Sequence, residues 1–320
     1  QPFSPIDNVT AKLVDAGHIL GSAAIVLDIT DGNRNFRLWF SGDIGRRDLP
    51  LLRDPVLPTN ADYLIMECTY GDKPHNDPME AYDELKEAII RTVKRRGKVI
   101  IPAFSVGRTQ ELVYMINTMV QTDLIPSIPV YVDSPLAVNA SDIFRRFPAY
   151  FDSETKEFTR NFQHPALNFE KLIYTRSVDE SKAINNQKGS AIIISASGMA
   201  ETGRILHHLR NNIENPANMV LIVSWQAPYT LGRRLADRNK EVKIFGRPYE
   251  VRAEVVTIGG LSAHAGQNML VEYASSSKDS LQEIFLVHGE EKSADALQKK
   301  LREAGITNIK YPALHQVVEI

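Results

Sequence analysis

DYLIMECTYGDKPHNDPMEAYDELKEAIIRTVKRRG, residues 62–97, decides the fold class. DYLIMEC is a short apolar run, the length of a buried strand. Asp77-Pro78 followed by Glu80 then marks a helix start, Tyr82, Leu85, Ile89 and Val93 recur at helical spacing, and Gly97 closes the pattern. A strand followed by such a helix is the repeating unit of a parallel sheet with helical crossovers. KVIIP, PVYV, KLIY, AIIIS and MVLIVS continue the rhythm downstream, so the middle of the chain reads as a doubly wound α/β unit. Upstream, VTAKLV, AAIVLDI and FRLWF, with a turn at Asp31-Gly32-Asn33, read as antiparallel strands. After Tyr249 come a strand VRAEVVTI, the loop GGLSAHAG, a helix near Gln267 to Ala274, a strand EIFLVHG, a helix over Glu291 to Ala304 and a closing strand.

The 320 residues are 43% hydrophobic and 24% charged, which excludes a disordered, collagenous or coiled-coil chain. A net charge of -2 means that a polyanion would have to be held by local patches, not by the overall field. Cys68 is the only cysteine, so a disulfide framework and a cysteine-rich zinc site are both excluded and a metal would rest on histidine and carboxylate. That composition suits a reducing cytoplasm, and no run approaches the 18 or so apolar residues of a membrane helix. There is no P-loop and no GxGxxG.

Chemistry concentrates at strand ends. His18 in VDAGHILGSAA, His264 in IGGLSAHAG and His288 in IFLVHGEE each follow a strand among small residues, and Asp43 in FSGDIG has the same setting. Loops at strand ends are where such scaffolds converge metal ligands. Glu67 closes a buried strand, which is costly for a carboxylate unless it is paired or functional. His75, His164 and His315 lie in loops without supporting acids, while His207 and His208 are neighbours on a helix and read as surface or groove residues. The clusters Lys94-Arg95-Arg96, Arg145-Arg146 and Arg233-Arg234 read as solvated faces.

Taken in order, DAGHILGSA, FSGDIG, ECTYGD, IPAFSVGRTQEL, DSPLA, SASGM, QAPYTLGRRL, LSAHAG and LVHGE resemble the signature blocks of the β-CASP branch of the metallo-β-lactamase superfamily. The resemblance implies an αββα hydrolase domain, incomplete here, with a doubly wound α/β β-CASP domain inserted into it and single-stranded RNA threaded between them. It implies boundaries at 1–71 and 249–320 for the hydrolase parts and 72–248 for the insert. It also implies two zinc ions, with His18, Asp43 and His288 as ligands and Asp43 bridging. Glu67 and His264 form the implied catalytic pair, with His264 near the leaving oxygen. Ser195, Ser197 and Gly198 are implied to hold an RNA phosphate, with Arg108 adding charge. The implied activity is endo- or 5′-exonucleolytic RNA cleavage, and a homodimer fits the family's habit.

The family's HxHxDH cluster occurs nowhere in the chain. Together with Gln1 in first place, this leads us to expect a missing front end and an impaired or inactive chain in isolation. A non-catalytic RNA-binding scaffold and a small-molecule metallohydrolase are the rival expectations. Gly266 stands where the family often has aspartate, Tyr229 where glycine is common, and Cys68 reads as a packed thiol, not a nucleophile.

Overall fold

A computed structural model describes residues 1–75 and 77–320. Along the chain come β1 (Phe3–Ile6), β2 (Val9–Asp15), β3 (Ala23–Asp31), β4 (Arg34–Phe40), β5 (Tyr63–Glu67) and α1 (Pro78–Lys94). β6 (Lys98–Pro102), α2 (Arg108–Gln121), β7 (Val130–Val132), α3 (Pro135–Arg146), α4 (Ser153–Phe162), β8 (Leu172–Tyr174) and α5 (Val178–Ala183) follow. Next are β9 (Ala191–Ser195), α6 (Ile205–Asn212), β10 (Met219–Ile222), α7 (Leu231–Ala236), β11 (Glu241–Ile244), β12 (Arg247–Glu250) and β13 (Glu254–Thr257). The chain ends with α8 (Gln267–Ser275), β14 (Glu283–Val287), α9 (Glu291–Glu303) and β15 (Ile309–Lys310). Among the described residues, no helix is long and apolar enough to cross a membrane.

These elements form two compact units, Gln1–His75 with Ala263–Ile320, and Asn76–Ser262. The first holds a seven-stranded sheet in the order β1-β2-β3-β4-β5-β14-β15. β1 to β4 are antiparallel neighbours, as expected for VTAKLV, AAIVLDI and FRLWF in β2 to β4 but not foreseen for β1, while β4, β5, β14 and β15 run parallel. One face packs on α8 and α9: Val26, Trp39, Leu64, Met66, Ile284 and Leu286 meet Leu270, Tyr273, Leu297 and Leu301 in one core. Each such side chain contributes roughly 1.5–3 kcal/mol by leaving water. The opposite face is also apolar, with Leu13, Ile25 and Phe40 in one cross-strand row, yet Leu13 is 55% and Phe40 37% exposed. This unit therefore has one sheet and one helical layer.

The second unit has six parallel strands in the order β13-β10-β6-β9-β7-β8 and a separate β11-β12 hairpin. The runs KVIIP and AIIIS are buried along nearly their whole length because helices cover both faces of a doubly wound sheet. The helices start on chemistry legible in the sequence: Asp77 caps α1 by accepting the Met79 amide, Ser134 caps α3, and Ser177 with Glu180 forms a capping box on α5. The return to the first unit comes at residue 263, later than the boundary at 249 expected from sequence. VRAEVVTI is the reason: β13 pairs in parallel with β10 along Met219↔Glu254 to Ile222↔Thr257 and so extends the inserted sheet.

Candidate metal centre and phosphate loop

In the first unit, β2 and β4 are each antiparallel to β3, and β4, β5 and β14 are mutually parallel. Four strands therefore finish at the same sheet edge. His18 follows β2, Asp43 follows β4, Glu67 ends β5 and His288 follows β14, so residues up to 270 positions apart meet there. The His18 and Asp43 loops touch backbone to backbone: Gly45 N–H donates to Ala16 O at 2.7 Å, and a Cβ on Gly45 would fall 2.0 Å from Gly17 O. Glycine is required by that approach.

Asp43 is the hub. Its Oδ2 lies 3.9 Å from His18 Nε2 and its Oδ1 3.5 Å from His288 Nδ1. His264 joins from its own loop, with its ring centroid 4.4 Å from that of His18 and 5.8 Å from that of His288. One ligand atom each from His18, Asp43 and His264 lie within 4.8 Å of one another. Imidazoles plus a carboxylate suit zinc, and this group shares His18 and Asp43 with the expected ligand set but has His264 in the place expected for His288. His18 is held below the ordinary imidazole range, first by burial and then by neighbouring His264, which keeps its lone pair available.

Glu67 is 1% exposed and fully engaged. It accepts the Ile44 amide at 2.6 Å and His264 Nδ1–H at 3.0 Å. Burial alone pushes the Glu67 carboxyl up, but the His264 hydrogen bond and charge outweigh it and hold the group below the usual range. Reciprocally, burial works against the His264 cation, and the hydrogen bond it donates to Glu67, with the charge of that carboxylate, more than offsets it, so His264 titrates above an ordinary histidine. The pair fixes the ring and leaves Nε2 facing outward from the carboxylate.

His75, read from sequence as an ordinary loop residue, is packed beside this pair. Its ring meets Tyr70 edge-on at 4.4 Å, and burial, followed by the charge of Arg46, pushes it down to about 4. A Cβ on Gly266 would lie 2.9 Å from His75 Cδ2 and 2.9 Å from His75 N, so this histidine fills the space an acid at 266 would need. Cys68 is buried, donates Sγ–H to Val287 O at 3.3 Å, and is pushed up to about 12 by burial and then by Glu67.

In the second unit, SASGM follows β9 between neighbouring strands. Ser197 Oγ accepts the amides of Glu201 at 3.2 Å and Thr202 at 3.3 Å, tying the loop to itself. Ser195 is 1% exposed and its hydroxyl donates to Asp133 O at 2.8 Å. Arg108 is 6% exposed and ion-paired with Glu111. Gly198 is buried under Phe104. Of the four expected phosphate-loop residues, Ser197 alone is both half-exposed and on the loop surface.

Behind that loop sits a buried network the sequence reading missed. Asp133, fully buried, accepts Arg204 Nη1–H at 2.7 Å, Thr175 Oγ1–H at 2.5 Å, Ser181 Oγ–H at 2.6 Å and His208 Nε2–H at 2.6 Å. His208 is 2% exposed, which corrects the surface reading. Its partner lies 75 residues away, so local spacing gave no signal of the burial.

The Beta-Casp domain family matches residues 109–235, and the Zn-dependent metallo-hydrolase RNA specificity domain matches residues 248–312. The chain belongs to the β-CASP family. Among curated relatives, Ribonuclease TTHA0252 of Thermus thermophilus is 36% identical over 91% of this chain and 65% of its own length. RNase J-like protein of Methanocaldococcus jannaschii is 32% identical over 89% of this chain and 64% of its own length. Transcription termination factor FttA of Pyrococcus horikoshii is 32% identical over 94% of this chain and 47% of its own length. The chain thus spans less than two thirds of these β-CASP relatives.

Proposed function

We propose that this chain is the larger part of a zinc-dependent ribonuclease that hydrolyses RNA phosphodiester bonds. The observation that carries the reading is the convergence of His18, Asp43, Glu67, His264 and His288 at one sheet edge. The relatives named ribonuclease and RNase J-like, and the description of the matched domain as RNA-specific, support RNA as the substrate.

His18, Asp43 and His288 would hold zinc in this part of the site, and the remaining ligands of a two-zinc centre would come from an HxHxDH segment outside these residues. The open apolar face of the seven-stranded sheet supports that reading, because such a face normally packs against another layer. Bound zinc would supply Lewis-acid polarisation of a phosphoryl oxygen and acidified water. The chain's own work is then proton handling and positioning. Glu67 holds His264 Nδ1–H, so the ring carries its second proton at Nε2 and can deliver it to the leaving oxygen. Ser197, whose two lone pairs accept loop amides, directs its hydroxyl proton elsewhere and offers it to a phosphate of the strand. Ser195, whose hydroxyl donates to Asp133 O, anchors the strand end that leads into that loop.

The test is zinc- or manganese-loaded protein in its longest native form, incubated with end-labelled single-stranded RNA. His264→Ala lowers cleavage by about 100-fold or more, on the scale of a lost general acid. Cleavage by His264→Ala equal to that of the unaltered protein rejects the assigned role.

A further inference from the structure

Three aromatic rings stand exposed around the SASGM loop of the second unit. Phe104 follows β6 and is 44% exposed, and Trp225 and Tyr229, both following β10, are 48% and 91% exposed. β6 is hydrogen-bonded to β9 on one side and to β10 on the other, so the loops after all three strands emerge side by side at the carboxyl ends of a parallel sheet. Ligands of doubly wound sheets bind at such an edge.

The loops are joined at Gly198. A Cβ there would lie 2.9 Å from the Phe104 ring, and the buried Gln226 side chain, next to Trp225, donates its amide to Gly198 O at 3.0 Å. Tyr229 is held by the turn that opens α7: Thr230 N–H and Oγ1–H both donate to Ala227 O, and Arg234 Nη2–H donates to Tyr229 O at 2.7 Å. Its φ is +70°, a conformation costly for any residue with a Cβ and comfortable for glycine. A bulky ring, almost wholly in water and on strained backbone, adds nothing to the packing of the unit. Strain of this kind collects where a side chain is needed by a ligand.

We infer that Phe104, Trp225 and Tyr229 are stacking platforms for the bases of single-stranded RNA, beside the Ser197 loop that takes its phosphate. The inference rests on the ribonuclease reading and adds to it a mode of recognition. Every base has a flat π-face, so the platforms give affinity with little sequence preference. They also require unpaired bases, since the bases of a duplex are already stacked on one another. Arg234, lying against the Tyr229 turn, places positive charge where the backbone between stacked bases would pass.

The chain provides its own reporter. It has two tryptophans, and Trp39 is 3% exposed and hydrogen-bonded to Tyr273, so a ligand on the surface alters the emission of Trp225. The full chain, kept in EDTA so that no RNA is cut, is titrated with a 12-nucleotide oligouridylate and with an abasic ribose-phosphate chain of equal length. Oligouridylate quenches tryptophan emission and binds about tenfold more tightly than the abasic chain. By anisotropy of labelled oligouridylate, Trp225→Ala and Tyr229→Gly each weaken binding about tenfold, and Trp225→Phe restores it to within about threefold. Tyr229→Gly does so without lowering the melting temperature, because glycine relieves the backbone, and this separates lost stacking from lost folding. Equal affinity for the base-bearing and abasic chains, with both variants unchanged, overturns the platforms while leaving the ribonuclease reading intact. Failure of the unaltered chain to bind either polymer sinks both. A change in sedimentation of Trp225→Ala with no change in RNA affinity assigns the rings to contact between copies of the chain and overturns the inference as well.

Discussion

Asp133→Asn tests how far the second unit depends on one buried carboxylate. Oδ1 accepts from Arg204 and Thr175, and Oδ2 from Ser181 and His208, so all four partners donate to a group with no solvent exposure. Asparagine keeps the shape but turns an NH2 toward two donors and leaves the Arg204 guanidinium without its counter-charge. Breaking a buried ion pair from one side costs about 3–5 kcal/mol, far more than the ~1 kcal/mol of a typical neutral hydrogen bond. The assay is urea unfolding of the whole chain followed by circular dichroism, with Asp142→Asn, a more exposed ion-paired aspartate, as the control. The pH dependence has a definite sign. Desolvation raises the Asp133 carboxyl, the hydrogen bonds from His208, Ser181, Thr175 and Arg204 outweigh it, and the folded group ionises well below the usual carboxylate range. A depressed carboxylate contributes stability that is fully present above its unfolded value of about 4 and is lost as pH falls below that value. The unaltered chain therefore loses stability more steeply than Asp133→Asn below about pH 4. A loss under about 1 kcal/mol at neutral pH, or identical acid limbs, refutes the role given to this network.

Three further outcomes follow from the first unit. Calorimetric titration with Zn2+ finds Asp43→Ala and His288→Ala each weakened about tenfold or more, with His264→Ala within about threefold; the reverse ranking of the two histidines moves His264 into the ligand set. Native Cys68 resists a thiol-reactive disulfide reagent at pH 8 and reacts fully in urea, since burial pushes the thiol up to about 12; rapid native labelling contradicts that environment. Gly266→Ala, whose Cβ would sit 2.9 Å from His75, lowers stability by about 1–3 kcal/mol in thermal melts, and His75→Ala in the same background recovers part of the loss; no change shows that the loop yields freely.

The strand and helix order was legible because hydrophobic period and caps are local signals: DYLIMEC, KVIIP and AIIIS are strands β5, β6 and β9, and the helix expected over Gln267 to Ala274 is α8. The candidate centre was legible for a related reason, since a histidine or acid between a strand and small residues marks its own setting. The point where the chain leaves the inserted sheet was not, because VRAEVVTI has the same local character whichever sheet it joins, and only the pairing of β13 with β10 decides it. Ser195 and Arg108 show the same limit at single residues. Both occur in matching motifs, yet a hydroxyl aimed at Asp133 and a guanidinium aimed at Glu111 are tertiary facts with no trace in spacing. His208 and His75 were passed over because the partners that bury them lie far away or along the backbone.

The self-tied SASGM loop, with Ser197 gripping two amides and Gln226 bracing Gly198, carries a thermodynamic consequence. A surface already frozen in its working shape loses little freedom when a flexible polymer settles on it, so the ordering cost falls almost wholly on the polymer. Short and long strands should then differ in affinity chiefly through the number of nucleotides immobilised, and a substitution that loosens the brace would be felt first as faster release.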